Sequence, residues 1–178
     1  MTATEAWRST DMDFGSQLLN AQKSGAEAIY LYGGVEGDAR IVLQAKKLGI
    51  GLPILGANVL GNQKFLDLAA ESANGMLLTW GAVDPKNPKA ASLQSKMRQQ
   101  YQRDADVFVA HAYDAVYAIA EAMKKAGTTV KDRAAIQKAI REGTYSGAVG
   151  DLAFDQNGHN IRHIFVAQVV NGKFEIVD

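Results

Sequence analysis

The sequence predicts an α/β fold, a three-layer, mostly parallel sheet with helices on both faces. A repeated juxtaposition carries this reading. A helix-like stretch ends at a glycine and a short apolar run follows: Gly25 before Ala28-Ile29-Tyr30-Leu31-Tyr32, Gly49 before Leu52-Pro53-Ile54-Leu55, and Gly75 before Met76-Leu77-Leu78-Thr79-Trp80. Glycine just past a helix accepts the left-handed backbone that ends it. Apolar runs this short suit strands buried on both faces, as parallel sheets require. Such alternation makes βαβ units, and in open sheets of that kind ligands sit beyond the carboxyl ends of the strands.

The elements follow in order. Thr2 to Trp7 reads as a weak strand. Thr10-Asp11-Met12-Asp13 has the form of a capping box, with Thr10 as N-cap and Asp13 at the third helical position. The helix it opens turns Phe14, Leu18 and Ala21 inward before Gly25. The next helix, residues 37–48, carries Ile41, Val42, Ala45 and Leu48 at helical spacing. A third, residues 62–72, starts at Asn62 as N-cap and buries Phe65, Leu66 and Ala69. Asn87-Pro88 opens a fourth, since proline in the first turn gives up an amide that would be unpaired there. Its inward residues are Leu93, Met97 and Tyr101.

The pattern then breaks. Residues 107–126 form one long helical stretch whose apolar residues, Tyr113, Val116, Tyr117, Ile119 and Met123 among them, spread around much of the wheel. Gly127-Thr128-Thr129 separates it from a second helix, residues 131–141, with Ile136 and Ile140 inward and no strand between the two. After Tyr145 the chain turns to β structure over residues 152–154, 162–170 and 173–177. Asp155-Gln156-Asn157-Gly158 and the hairpin-type Asn171-Gly172 supply the turns.

Composition narrows the function. Nearly half of the 178 residues are hydrophobic and 21% are charged, which is ordinary for a globular chain. Lys plus Arg number 19 and Asp plus Glu 19, so the basic surplus used to hold nucleic acid or anionic membrane is missing. With no cysteine, disulfides, thiolate catalysis and Cys-based metal sites are excluded. No apolar run reaches bilayer-spanning length. The first residues lack the charged and apolar regions of a signal peptide, so any export signal of the natural protein is expected upstream.

Two loops follow strands and precede helices. In the first, Tyr32-Gly33-Gly34-Val35-Glu36-Gly37-Asp38, paired glycines let backbone amides approach a ligand and the helix start favours an anion. Glu36 and Asp38 stand at the same mouth, where carboxylates would hold an ammonium group. The competing reading makes Gly33 and Gly34 a tight turn and the acids complements to the helix dipole. The second loop, Leu55-Gly56-Ala57-Asn58-Val59-Leu60-Gly61-Asn62, offers Asn58 as donor and acceptor to a ligand, or as the side chain of an Asx-turn. Trp80 walls a cleft or packs in the core.

Other chemistry finds little support. His159 and His163 are four apart, but they lead into an extended run, where that spacing places them roughly 13 Å apart. No metal site is expected there, and His111, opening an apolar helix, reads as structural. The G-x-S-x-G elbow of serine hydrolases is missing, and the acids and bases form no constellation with an assignable reaction. No catalytic residue and no cofactor are expected.

Several separated motifs carry a family likeness. The run Asp13-Phe14 through Gly25-Ala26-Glu27-Ala28-Ile29-Tyr30-Leu31-Tyr32-Gly33-Gly34 resembles the second lobe of type I periplasmic binding proteins, in particular the leucine/isoleucine/valine-binding group of ABC-transporter receptors. Leu55-Gly56, Ala73-Asn74-Gly75-Met76, Ala112-Tyr113-Asp114-Ala115-Val116-Tyr117-Ala118 with Ala126-Gly127, Tyr145-Ser146-Gly147-Ala148-Val149-Gly150 and Phe154-Asp155-Gln156-Asn157-Gly158 continue the likeness in order.

The resemblance implies the C-terminal half of a two-lobed receptor. Residues 1–106 would be flavodoxin-like βα units of the second lobe. The helix pair 107–143 would pack on a first lobe that this chain lacks, and 144–178 would complete the second lobe. It implies a non-enzymatic, extracytoplasmic component of an importer that closes on a branched-chain or related amino acid or another small carboxylate or amide and delivers it to an ABC permease. Gly33, Gly34, Val35, Glu36 and Asn58 are the ligand contacts it implies. By the same resemblance, a ring-bearing residue often stands at the Val35 position and an acid that pairs with the ligand ammonium at the Asn58 position. Either Glu36 replaces that acid, or the ligand is of another class. The apolar helix pair also leads to an expected homodimer or domain-swapped oligomer. Alternatives are a ligand-sensing module of the same fold in a receptor or regulator, and a self-associating engineered half-receptor.

Overall fold

The three strands predicted from the apolar runs after Gly25, Gly49 and Gly75 lie side by side. In the computed structural model, which describes residues 1–81, 86–127, 132–161 and 164–177, the chain divides into two units, Met1–Trp80 with Phe165–Asp178, and Gly81–Ile164.

The first unit holds a five-stranded sheet. Its parallel part is β1 (Ile29–Leu31), β2 (Ile54–Gly56) and β3 (Leu77–Trp80), with Ile29 opposite Ile54 and Leu55 opposite Leu77. Its antiparallel part is β6 (Phe165–Val170) and β7 (Lys173–Ile176), in the order β1-β2-β3-β6-β7. The sheet is therefore mixed. Helices α1 (Gly15–Lys23), α2 (Val35–Lys47) and α3 (Gln63–Ala69) alternate with the parallel strands. Each of Gly25, Gly49 and Gly75 has the positive φ that the alternation requires, 74°, 68° and 88°. Phe14 and Leu18 of the α1 region, Val42 of α2, Phe65 of α3 and the strand residues Leu31, Leu78, Ala167 and Val169 form one buried cluster. Burial alternates along the strands: Leu31 and Leu78 are enclosed while Tyr30 and Thr79 are exposed.

Several local expectations are corrected. Residues 1–8 form no strand. Thr10 does not cap α1, whose N-cap is Phe14. Instead the Phe14 amide donates to Gln44 Oε1 at 2.7 Å and Gln44 Nε2 donates to the Met12 carbonyl at 2.7 Å. A side chain from α2 thus serves the start of α1, a partner no local motif reveals. Asn62 does cap α3, accepting from the Phe65 amide at 3.1 Å. That helix stops early, because Ala70 takes φ 48° and begins a separate 3₁₀ turn, Ala70–Ala73. Leu48 and Tyr101, expected inward, are exposed.

The second unit is helical. It comprises α4 (Pro88–Tyr101), α5 (Val107–Ala126), α6 (Arg133–Arg141) and a small hairpin of β4 (Tyr145–Gly147) and β5 (Gly150–Leu152). Asn87, Asp106 and Asp132 cap the three helices through their side chains. The strand expected at 152–154 is thus mostly replaced by the hairpin, with Phe154 making a single bridge to Asn160. Polar grips hold the hairpin turn. Asp114 of α5, 3% exposed, accepts from the Ala148 amide at 2.7 Å and the Val149 amide at 2.8 Å. Asn87 Nδ2 donates to the Gly147 and Ala148 carbonyls at 2.8 and 3.2 Å, and Lys89 reaches the Ser146 carbonyl. Burial pushes the Tyr145 phenol up to about 12, helped by the Asp114 charge. Much of α5 stays uncovered, with Phe108, Val116, Tyr117 and Ile119 exposed.

Candidate functional site

The carboxyl ends of β1 and β2 open into the two loops singled out by the sequence, and both loops belong to the first unit. After β1 the chain passes exposed Tyr32 and reaches Gly34, the N-cap of α2 with an extended backbone (φ −96°, ψ 152°). The space beside the Gly34 α-carbon is open. Val35 begins α2 and packs partly on the core cluster. Glu36 is exposed in the first turn and pairs with Lys64 of α3. The Lys64 ammonium, hydrogen-bonded to Glu36, holds that carboxyl below its usual range. After β2 the chain enters a 3₁₀ turn, Asn58–Leu60, whose first residue, Asn58, is exposed and accepts the Gly61 amide on its carbonyl at 3.0 Å.

The two glycines of the first loop differ. Gly33 faces packed atoms: a Cβ there would come within 2.8 Å of Asp38 Oδ1 and 2.9 Å of Trp7 Cη2. The close approach that demands glycine at this position is to the protein's own Trp7. Gly34 alone of the pair leaves room for another molecule. Asp38, expected at the mouth with Glu36, is instead fully buried, 0% exposed. Trp80 packs at 5.5 Å from the Phe174 ring and against Gly61, a wall of the core cluster. Lys64 was not singled out by sequence reading, because its ion partner lies 28 residues away and an isolated lysine on a helix has no periodic signal.

This unit also has concavities away from the loops. One of about 850 Å³, lined by Ile50, Pro53, Ile54, Glu71 and Met76, sits at the amino ends of β2 and β3. Among the described residues no three His, Asp or Glu side chains gather to hold a metal ion. His159 Nδ1 lies 3.2 Å from Asp155 Oδ2, and His163 falls outside the described residues. No described helix is long and apolar enough to cross a membrane.

The sequence profile described as "Periplasmic binding protein" matches residues 2–173. A leucine-, isoleucine-, valine-, threonine- and alanine-binding protein of Pseudomonas aeruginosa is 30% identical over 155 residues, 86% of this chain and 41% of the relative. A Leu/Ile/Val-binding protein homologue of Brucella melitensis is 29% identical over 83% of this chain and 40% of its own. Among solved structures, a leucine-binding protein of Thermotoga maritima superimposes with a TM-score of 0.87 at 30% identity, over 97% of this chain and 49% of that one. The branched-chain amino acid substrate-binding protein LivJ of Streptococcus pneumoniae, in complex with isoleucine, gives 0.82 at 25% identity, over 96% and 50%. The chain thus spans 40–50% of the length of these proteins.

Proposed function

The chain belongs to the periplasmic binding protein family, the type I, leucine/isoleucine/valine-binding group, and from that premise we propose that it supplies one wall of a non-enzymatic, extracytoplasmic solute receptor serving an ABC importer. The observation that carries this reading is the pair of loops at the carboxyl ends of parallel β1 and β2, in a chain that superimposes on about half of a leucine-binding protein. Hinge closure of the opposite lobe would complete the enclosure. Residues 1–106 and 144–178 then serve as second-lobe elements and 107–143 as helices returning to the opposite lobe, whose sheet would cover exposed Phe108, Val116, Tyr117 and Ile119 of α5. In the chain alone that face favours self-association, which light scattering reads as a mass above that of the monomer.

The ligand contacts in this reading are Gly34, Val35 and Asn58, with Gly33 behind them and Glu36 at the rim. The Glu36–Lys64 pair bears on ligand class. A carboxylate already matched by an ammonium gains less from a second one, so Glu36 is a poor substitute for a free acid. Asn58 gives an uncharged donor and acceptor instead. This wall therefore suits the uncharged polar or carboxylate end of a small solute at least as well as an α-ammonium. Calorimetry with branched-chain amino acids, small carboxylates and amides tests both parts. The expected result is very weak binding by this chain alone, with carboxylates or amides ahead of amino acids. Micromolar affinity for leucine would overturn the one-wall reading and the ligand preference together.

A further inference from the structure

Asp38 is the side chain that neither the fold nor the proposed site uses. It lies in the opening turns of α2, 0% exposed, and neither carboxylate oxygen has a hydrogen-bond partner among the described residues. Buried polar atoms are nearly always paired, so an orphaned carboxylate asks for a cause. Its surroundings are specific. Trp7 and Asp38 Oδ1 converge on the bare side of Gly33, and the same indole lies against Gly37, one residue before Asp38. Trp7 also meets Phe14 edge-on, with centroids 5.8 Å apart at 85°. The ring thus shares the bare side of Gly33 with Asp38 and ties the loop's first glycine to the core cluster. Trp7 itself is only partly buried, on a segment without regular secondary structure.

Charged groups on the surrounding elements do not relieve Asp38. Arg8 and Asp11 follow Trp7, and Asp11 accepts the Arg8 amide at 2.7 Å. On α2 stand Glu36 and Arg40, and on α3 Lys64, which is committed to Glu36. Tyr32 is exposed in the loop. Burial pushes the Asp38 carboxyl up to about 6, opposed only by the nearby Gly33 amide, which does not reach hydrogen-bond geometry to either oxygen. The neutral acid suits a dry pocket, and the anion needs water. Water reaches it most cheaply by lifting a half-buried ring on an irregular segment, since the alternative is to unwind the first turn of α2.

We propose that Asp38 is a positioning residue for the Gly33–Val35 loop: as the neutral acid it lets Trp7 seat against Gly33 and Gly37, and on ionising it unseats the ring and frees the loop to shift. That the shift alters solute binding rests on the loop being a ligand wall; the seating of Trp7 does not. The test uses the full chain carrying Trp80→Phe, so that Trp7 is the sole tryptophan, with acrylamide quenching followed from roughly pH 5 to pH 7.5. Quenching is expected to rise with a midpoint of about 6, and Asp38→Asn to stay weakly quenched and flat throughout. A flat profile in the parent overturns the proposal. So does an unchanged titration in Asp38→Asn, which would assign the effect to a group other than Asp38. Should Trp80→Phe disturb folding, amide hydrogen exchange of residues 33–38 in the unaltered chain replaces it. Faster intrinsic-corrected exchange at the higher pH is then expected, and equal protection at both pH values refutes the seat. Loss of this titration and loss of solute binding are separate readouts, so either idea can fail alone.

Discussion

The two units bury different things. In the first, a sheet and three helices enclose large apolar side chains, with Phe14, Leu60 and Phe65 essentially inaccessible. In the second, the buried apolar cluster is small, Leu93, Met97, Ala105, Ala110 and Ala148, and the hairpin turn is fastened by Asp114, Asn87 and Lys89. Meanwhile α5 leaves Val116 66% and Phe108 57% exposed. Apolar area removed from water stabilises at about 25 cal/mol per Å², so the first unit rests on burial. The second leans on directed hydrogen bonds that stabilise only while every partner is present. The contrast teaches where each will fail, and its optical handles are separate: both tryptophans, Trp7 and Trp80, lie in the first unit.

The largest effect is expected at Phe65. Phe65→Ala removes a fully buried ring from the first core and should cost about 3–5 kcal/mol. The midpoint of tryptophan-detected denaturation should fall accordingly. An effect below about 1 kcal/mol would break the comparison at its stronger side. Asp114→Ala comes next. It strands the Ala148 and Val149 amides beside α5, and a loss of about 2–4 kcal/mol is expected. It should appear in the helical circular dichroism transition before the tryptophan signal. If the tryptophan transition moves first, the units do not fail separately and the contrast is lost.

The first unit carries one polar exception, and pH exposes it. The folded-state pKa of Asp38 is raised by burial, to about 6 from 3.8. A raised carboxyl binds its proton more tightly when folded, so its stabilising contribution is complete below the unfolded value and is lost as pH climbs through about 6. Unfolding free energy should therefore fall between those limits by no more than ~3 kcal/mol. Asp38→Asn should flatten that slope. A slope of opposite sign, steeper stability toward neutral pH, would mean a cation pairs with Asp38.

Much of the first unit could be read along the chain because its signals are local. A helix, a glycine with positive φ and an apolar run repeat at Gly25, Gly49 and Gly75, and each piece needs only its neighbours to be recognised. Asn62, Asn87 and the Asn171-Gly172 turn were legible for the same reason. What stayed hidden depends on distant partners. Gln44 serving Phe14, Lys64 answering Glu36, and Trp7 lying on Gly33 all join residues well separated in sequence. Such pairs leave no periodicity. The candidate loops were found by position alone, and the difference between open Gly34 and covered Gly33 needed Trp7 in place.

The smallest expected effect sharpens the comparison at the rim of the proposed site. Glu36 and Lys64 are more than half exposed, at 53% and 63%, and exposed pairs contribute about 0–1 kcal/mol. Glu36→Gln should barely move the denaturation midpoint, in contrast to Asp114→Ala, where the polar contacts are dry. Its consequence should lie in charge instead. With Glu36 neutral, the exposed Lys64 ammonium loses its partner and is left to face solvent, and screening by salt reaches such an exposed charge readily. Carboxylate binding by Glu36→Gln should therefore strengthen at low ionic strength and return toward the parent value as salt is added, measured by calorimetry. If binding of leucine is abolished while carboxylates are unaffected, Glu36 is holding an ammonium despite Lys64, and the amino-acid reading of the wall prevails over the carboxylate one.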